Sequence, residues 1–295
     1  QRRPAKSLHL AAMSEPTAPT AVHRLLQGAT NFRDAGGWRA ADGARVRTGR
    51  LFRSDHLAGL TAQDTQQVQA LGLRHSIDLR GAQERAQTPY AVPGVRQVAL
   101  GIEPTVVTRL RQWHAAGQVP SVDDTVAVMC QTYRDFARLH GPVFGQVVRQ
   151  LLADPAPQVI HCTSGKDRTG FAVAMVLWAL GVSDDDIAHD YLLTNLWYQP
   201  PASLAGQLPE DVRQVLWFVR PEFLHAALDT VRREHGSVAR YLRGPVGLSE
   251  ADLAALQRRL LHRRRQPARC HEAHPRLHRI AGVAGLGDGR HARQA

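Results

Sequence analysis

Cys162 and Arg168 enclose five residues, Thr163-Ser164-Gly165-Lys166-Asp167, within the run Val159 to Gly170. That spacing matches what a phosphate dianion needs. Several donors must converge on its oxygens, and backbone N–H groups at a helix N-terminus supply them. Gly165 lets the main chain curl closely around the anion. Arg168 can make two parallel charge-assisted hydrogen bonds to two phosphate oxygens. The same positive field favours the thiolate of a cysteine at the start of the loop, and the thiolate is the nucleophile. The donors then stabilise the charge of the transferring phosphoryl group. Ser164 and Thr169 can hydrogen-bond the sulfur or cap the following helix.

A phosphate-binding loop of the nucleotide type is excluded. It needs Ser or Thr after the lysine and an earlier glycine, where this chain has Asp167 and Ile160. Departure of an ester oxygen also needs a proton, so a carboxylic acid must reach the leaving group. No Trp-Pro-Asp loop exists in this sequence. Two candidates remain. Asp78 closes a strand, from which side chains reach a site at the carboxyl edge of a sheet; Asp167 lies inside the loop itself. Asp78 is the first choice.

Elements positioned around the loop follow from pattern. Gln158–His161 reads as a buried strand and Thr169–Leu180 as the helix it feeds, closed by Gly181. Arg50–Ser54, His75–Leu79 and Val95–Leu100 read as further strands. Helices are predicted over Thr61–Leu71, 103–139 with a break near Gly117–Pro120, Pro142–Leu152, Ser183 to about Thr194, 209–219, 221–235 and 249–262. Strands separated by helices predict an α/β fold with a mostly parallel central sheet flanked by helices. The 103–139 insertion between strands is where a helical lid could sit.

Composition narrows the function classes. Net charge is +11, yet the excess lies at the ends. Residues 1–12 carry Arg2, Arg3 and Lys6 without an acid, and residues 263–295 carry eight arginines against Glu272 and Asp288. The body between is nearly neutral, which argues against a nucleic-acid binder. Residues 1–20 are expected to be a flexible leader, 21–262 the domain, and 263–295 a basic disordered tail. The longest apolar run, Phe171–Leu180, is too short to span a bilayer, so no integral membrane segment is expected. Cys130, Cys162 and Cys270 have no disulfide spacing and point to a reducing, cytoplasmic setting. Cys270, His271, His274 and His278 are spaced too irregularly for zinc, so no metal or cofactor is expected. Oligomeric state is not readable.

His161–Gly170 resembles the loop H-C-x-x-G-K-D-R-T-G of the bacterial tyrosine phosphatases with a lipid-phosphatase-like P-loop, within the cysteine-phosphatase superfamily. Asn31-Phe32-Arg33-Asp34-Ala35-Gly36-Gly37, Leu51-Phe52-Arg53-Ser54, Asp78-Leu79-Arg80 with Glu84, Asp190 to Asn195, and Gly236-Ser237 with Tyr241-Leu242 resemble its other motifs in order, over residues 25–262. The resemblance implies Cys162 as nucleophile, Arg168 as phosphate ligand and Asp78 as general acid. It implies substrate binding by Thr163, Ser164, Gly165, Lys166, Asp167 and Thr169, with His161 holding the loop and keeping the thiol ionised. It implies a mobile lid at 103–139. The implied substrates are phosphotyrosine proteins, with phosphoserine, phosphothreonine and phosphoinositides as further classes; Lys166 motivates the lipid class. Asn31, Arg33, Asp190 and Asn195 fit structural roles as well as substrate contact.

Overall fold

The structure is a computed structural model that describes residues 26–200 and 208–262. The leader and the basic tail expected from the sequence lie outside those residues. Five strands form the main sheet: β1 (Arg33–Asp34), β3 (Leu51–Ser54), β4 (His75–Asp78), β5 (Arg96–Ala99) and β6 (Gln158–His161), in the order β1-β3-β6-β4-β5. All neighbours run parallel except β1, which is antiparallel to β3. The expected α/β architecture with a mostly parallel sheet is what forms.

Strand β6 is central and buried along its whole length. Val159 and Ile160 point to opposite faces, as the pleat requires, and so enter different cores. Val159 joins Phe32, Phe52, Val68 and Leu73 on the face covered by α1 (Ala62–Ala70). Ile160 joins the larger core with Ile77, Phe171 and Phe144. The register matters for the site: Ser54, His161 and Asp78 sit opposite one another, so three strands end level. Whatever follows them shares one edge.

Helix α6 (Asp167–Ala179) leaves the end of β6 and is buried on all sides through Phe171–Leu177, as its apolar composition dictates. Around it lie α5 (Gly141–Ala153), α7 (Asp184–Leu192), α10 (Pro221–His235) and α12 (Glu250–Leu260). The predicted helix 249–262 stops early. Leu261 turns extended, and Leu261–His262 (β7) pairs antiparallel with Arg45–Val46 (β2). The short helices α2 (Ala82–Gln87), α8 (Thr194–Trp197) and α11 (Val238–Arg243) were not marked by the sequence pattern. Helix α9 (Glu210–Trp217) matches its expected place.

The 103–139 insertion divides into two helices with different surroundings. Helices α3 (Thr105–Ala115) and α4 (Val122–Leu139) form with the break where it was predicted. Yet α4 buries Met129, Tyr133 and Phe136 in the main core and packs along α10. A helix with that much apolar surface removed from water is part of the scaffold. Helix α3 buries only Val106 fully. Its first turn is tied to α4: Thr105 Oγ1 donates to Asp135 Oδ2 at 2.5 Å, and the Val106 amide donates to Thr132 Oγ1 at 2.9 Å.

Candidate active site

The chain turns at Cys162 and re-enters a helix at Asp167. Three successive loop carbonyls are tied to the surrounding scaffold. Thr163 O accepts from the His56 amide at 3.1 Å. Asn31 Nδ2 donates to Ser164 O at 3.0 Å and to Gly165 O at 3.1 Å, and Arg53 Nη2 donates to Gly165 O at 2.8 Å. A trans peptide points its N–H opposite to its C=O. Holding three successive carbonyls to one side therefore turns the amides of Ser164, Gly165 and Lys166 to the other. The first amides of α6 add to them, since the first helical bond is from Gly170 N to Lys166 O. Gly165 has φ +64, and a Cβ there would lie 2.4 Å from Ser54 O. Only glycine fits both the conformation and the space.

Asn31 and Arg33 were open between structural and substrate roles; they serve as braces. Arg33 Nη2 donates to Asp190 O at 2.9 Å and to Thr194 Oγ1 at 3.1 Å. Arg53 Nη1 bonds Asp190 Oδ2 at 2.6 Å. Burial, followed by the neighbouring Arg53 charge, pulls the Arg33 pKa well below its usual value. Two buried guanidiniums thus share the Asp190 carboxylate, and Arg53 reaches from that pair to the loop at Gly165 O. Asn195 pins α8 to Val219 through both its amide atoms, at 2.8 Å each.

Arg168 is buried, and its partner is one the sequence named without a role. Glu84 on α2 receives it as a fork, with Nη1 to Oε2 at 2.5 Å and Nη2 to Oε1 at 2.8 Å. Nη1 also donates to Ile102 O at 3.1 Å and Leu79 O at 3.3 Å. Thr163 Oγ1 donates to the same Glu84 carboxylate. Burial alone would raise the Glu84 pKa, but the hydrogen bonds and charge of Arg168 bring it down to about 2. Burial likewise opposes the charge on Arg168, but the Glu84 carboxylate, Cys162 and Asp167 hold its pKa above the ordinary value. The guanidinium is fixed, charged and electrostatically coupled to the sulfur.

Asp78 is placed differently from expectation. It is fully buried and closed by Arg80: Nη2 to Oδ2 at 2.8 Å, Nε to Oδ1 at 3.0 Å, and the Arg80 amide to Oδ1 at 2.9 Å. Gln97 Nε2 adds 2.6 Å to Oδ2. Burial would push its pKa up, but the hydrogen bonds and charge of Arg80 hold it below the usual carboxylate range. Its surroundings in the structure are those of an enclosed ion pair with Arg80. Asp167 is at the loop, one-fifth exposed, with Oδ1 accepting from Tyr133 Oη at 2.9 Å and Oδ2 lying 3.7 Å from Lys166 Nζ.

Burial pushes the His161 pKa down to about 4. The ring sits 3.3 Å through Nδ1 from Cys162 O and 2.6 Å through Nε2 from Tyr90 Oη, which continues to Ser76 Oγ at 3.0 Å. Lys166 is buried; its Nζ donates to Leu216 O at the end of α9 and lies 5.9 Å from the Tyr198 ring centroid. Thr169 Oγ1 is buried and without a hydrogen-bond partner in the described structure.

The model of a tyrosine phosphatase family matches residues 25–262. A Cupriavidus necator protein assigned, by inference, as a tyrosine-protein phosphatase is 32% identical over 269 residues, covering 87% of this chain and 96% of its own. The triple specificity protein phosphatase PtpB of Mycobacterium tuberculosis is 32% identical over 281 residues, covering 81% and 99%. The solved structure of P. aeruginosa TpbA overlaps loosely, with TM-score 0.34 and 17% identity over 65% of this chain and 96% of that one. On the family match and the two relatives, covering most of both partners' lengths, the chain belongs to the tyrosine phosphatase family.

Proposed function

We propose that Cys162 takes the phosphoryl group from phosphotyrosine in proteins, forming a cysteinyl phosphate, with Asp167 as the acid. The observation that supports this is the loop itself: three successive carbonyls are held by the surrounding scaffold, which turns the amides that follow them the other way, in a loop bounded by Cys162 and a guanidinium fixed by Glu84. The Cys162 sulfur attacks phosphorus, and the bond from phosphorus to the ester oxygen breaks. Asp167 gives that oxygen a proton. Water then attacks phosphorus, its proton passes to the Asp167 carboxylate, and the S–P bond breaks to release phosphate and restore the thiolate. The loop amides and Arg168 carry the developing charge throughout. With Nη1 taken by Glu84 and carbonyls and Nη2 by Glu84 and, at 3.5 Å, by Thr163 Oγ1, Nε is the first donor for substrate, and Nη2 joins it by exchanging the long Thr163 bond. Thr169 Oγ1, buried and without a hydrogen-bond partner among the described residues, serves sulfur or phosphate in this reading.

Phosphotyrosine ranks ahead of phosphoinositide because of Lys166. Its ammonium is enclosed by the Leu216 carbonyl, Asp167 and the Tyr198 ring rather than presented to a polyanionic headgroup. The M. tuberculosis relative is named for three specificities, and phosphoserine and phosphothreonine follow as slower substrates, their alkoxide leaving groups being poorer. The test is release of phosphate from a phosphotyrosine peptide and from phosphoinositides by wild type and Cys162→Ser. Peptide turnover abolished in Cys162→Ser is expected. A strong preference for lipid would overturn the substrate ranking, and turnover surviving in Cys162→Ser would overturn the mechanism.

A further inference from the structure

Behind Asp167 lie two tyrosines that neither the loop motif nor the mechanism above employs. Tyr133 on α4 donates its hydroxyl to Asp167 Oδ1 at 2.9 Å. Its oxygen is in turn 2.6 Å from Tyr191 Oη on α7. Both side chains are fully buried, with rings at 77° and centroids 6.1 Å apart. Burial pushes both phenol pKa values well above the usual value, so both stay donors across the pH range of assay. Since the Tyr133 proton is committed to the carboxylate, the proton between the two phenols comes from Tyr191, giving a one-way series from Tyr191 to Tyr133 to Asp167.

We infer that Tyr133, steadied by Tyr191, is the positioning residue for Asp167, holding Oδ1 so that Oδ2 is the oxygen exchanging the proton with the substrate's leaving group. This rests on the reading of Asp167 as the acid. Three features of the fold support it. First, Asp167 lies on the first turn of α6 with its side chain partly exposed, so without a partner its carboxyl would rotate freely. Secondly, Gly170 admits the relay: a Cβ there would lie 2.9 to 3.0 Å from the Tyr191 ring, so the glycine after Arg168-Thr169 is what lets that ring reach Tyr133. Thirdly, α4 is fixed in the main core, its own Phe136 against Phe171 and its Tyr133 against Phe223, a rigid base for the donor. Lys166, 3.7 Å from Oδ2, lies on the other side of the carboxyl and complements the arrangement.

The experiment uses the purified full chain and a series of aryl phosphates from p-nitrophenyl phosphate, whose leaving group needs little protonation, to phenyl phosphate, whose leaving group needs much more. Wild type, Tyr133→Phe, Tyr191→Phe and Asp167→Asn are compared through kcat and KM. Tyr133→Phe is expected to keep kcat on p-nitrophenyl phosphate within about threefold and lose on the order of tenfold on phenyl phosphate with KM unchanged. Tyr191→Phe should show the same tilt at smaller size, and Asp167→Asn a larger one. The p-nitrophenyl rate reports that each variant is folded. Equal losses across the series in both tyrosine variants, or no loss in either, while Asp167→Asn tilts, would overturn the inference alone. A flat response in Asp167→Asn would remove the acid reading and the inference with it.

Discussion

The stretch Asp78 to Glu84 supplies two carboxylates, each paired with a guanidinium, and the surroundings of the two pairs differ. Asp78 and Arg80 are neighbours in sequence, with side chains 0% and 1% exposed, and every oxygen of the carboxylate is met by donors from the scaffold. Glu84 and Arg168 come from distant parts of the chain and meet at the mouth of the loop, with 24% and 7% exposure. The closed pair has exchanged hydration for hydrogen bonds on all sides; the open pair keeps one side toward water. An ion pair that cannot open stabilises β4 and the level edge of the sheet. One that faces a site can hold an arginine ready while leaving some of its donors to a substrate.

Breaking the closed pair should give the largest effect. Asp78→Asn leaves the Arg80 charge buried opposite a neutral amide, and a loss of about 3–5 kcal/mol in unfolding free energy is expected. Denaturant titration measures it. Unchanged stability, combined with a selective loss of turnover on substrates with poor leaving groups, would mean that Asp78 is the acid after all and that the contrast between the pairs is false. Glu84→Gln should act in the other sense. The amide keeps the shape but loses the charge-assisted fork, for about 2 kcal/mol of stability. The kcat/KM on a phosphotyrosine peptide should fall further than that stability loss suggests, on the order of 10- to 100-fold, because the guanidinium is no longer aimed. If kcat/KM were unaffected, Glu84 would be only a surface tether of α2.

Much of this arrangement was legible in the residues. The loop announced itself because cysteine, glycine, lysine and arginine at fixed spacing admit few other uses, and Gly165 is where a positive φ and a close backbone approach coincide. Strand β6 and helix α6 were readable from a short apolar run followed by a long one. Partnership was harder to see. Asp78 and Asp167 are both aspartates beside the site, and only tertiary contacts separate them: Arg80 and Gln97 close over one, Tyr133 leaves the other partly open. Glu84 stood in a quoted motif without a role, because nothing local says that a glutamate on a six-residue helix meets an arginine 84 positions later. The insertion 103–139 read as a cover since it lies between strands, but the apolar side of α4 decides its place in the core.

The gentlest way to sharpen the contrast is pH. In the folded protein Glu84 has a pKa of about 2, against an ordinary 4.5. A carboxyl whose pKa is depressed by folding adds stability that is complete above its unfolded value and is lost as pH falls through its folded one. The stability difference between wild type and Glu84→Gln should therefore be constant above pH 4.5 and shrink below it. Allowing for solvent screening of a partly exposed pair, the expected decrease is about 1 kcal/mol by pH 3. His161 sets a separate trend in the same direction: its pKa is lowered to about 4, so folding favours the neutral ring and stability falls as pH drops from 6.5 through 4. That trend is common to both proteins and cancels in their difference, so a difference that already varies between pH 6.5 and 4.5 would show that Glu84 and His161 are coupled and that the open pair is not independent of the interior beneath β6.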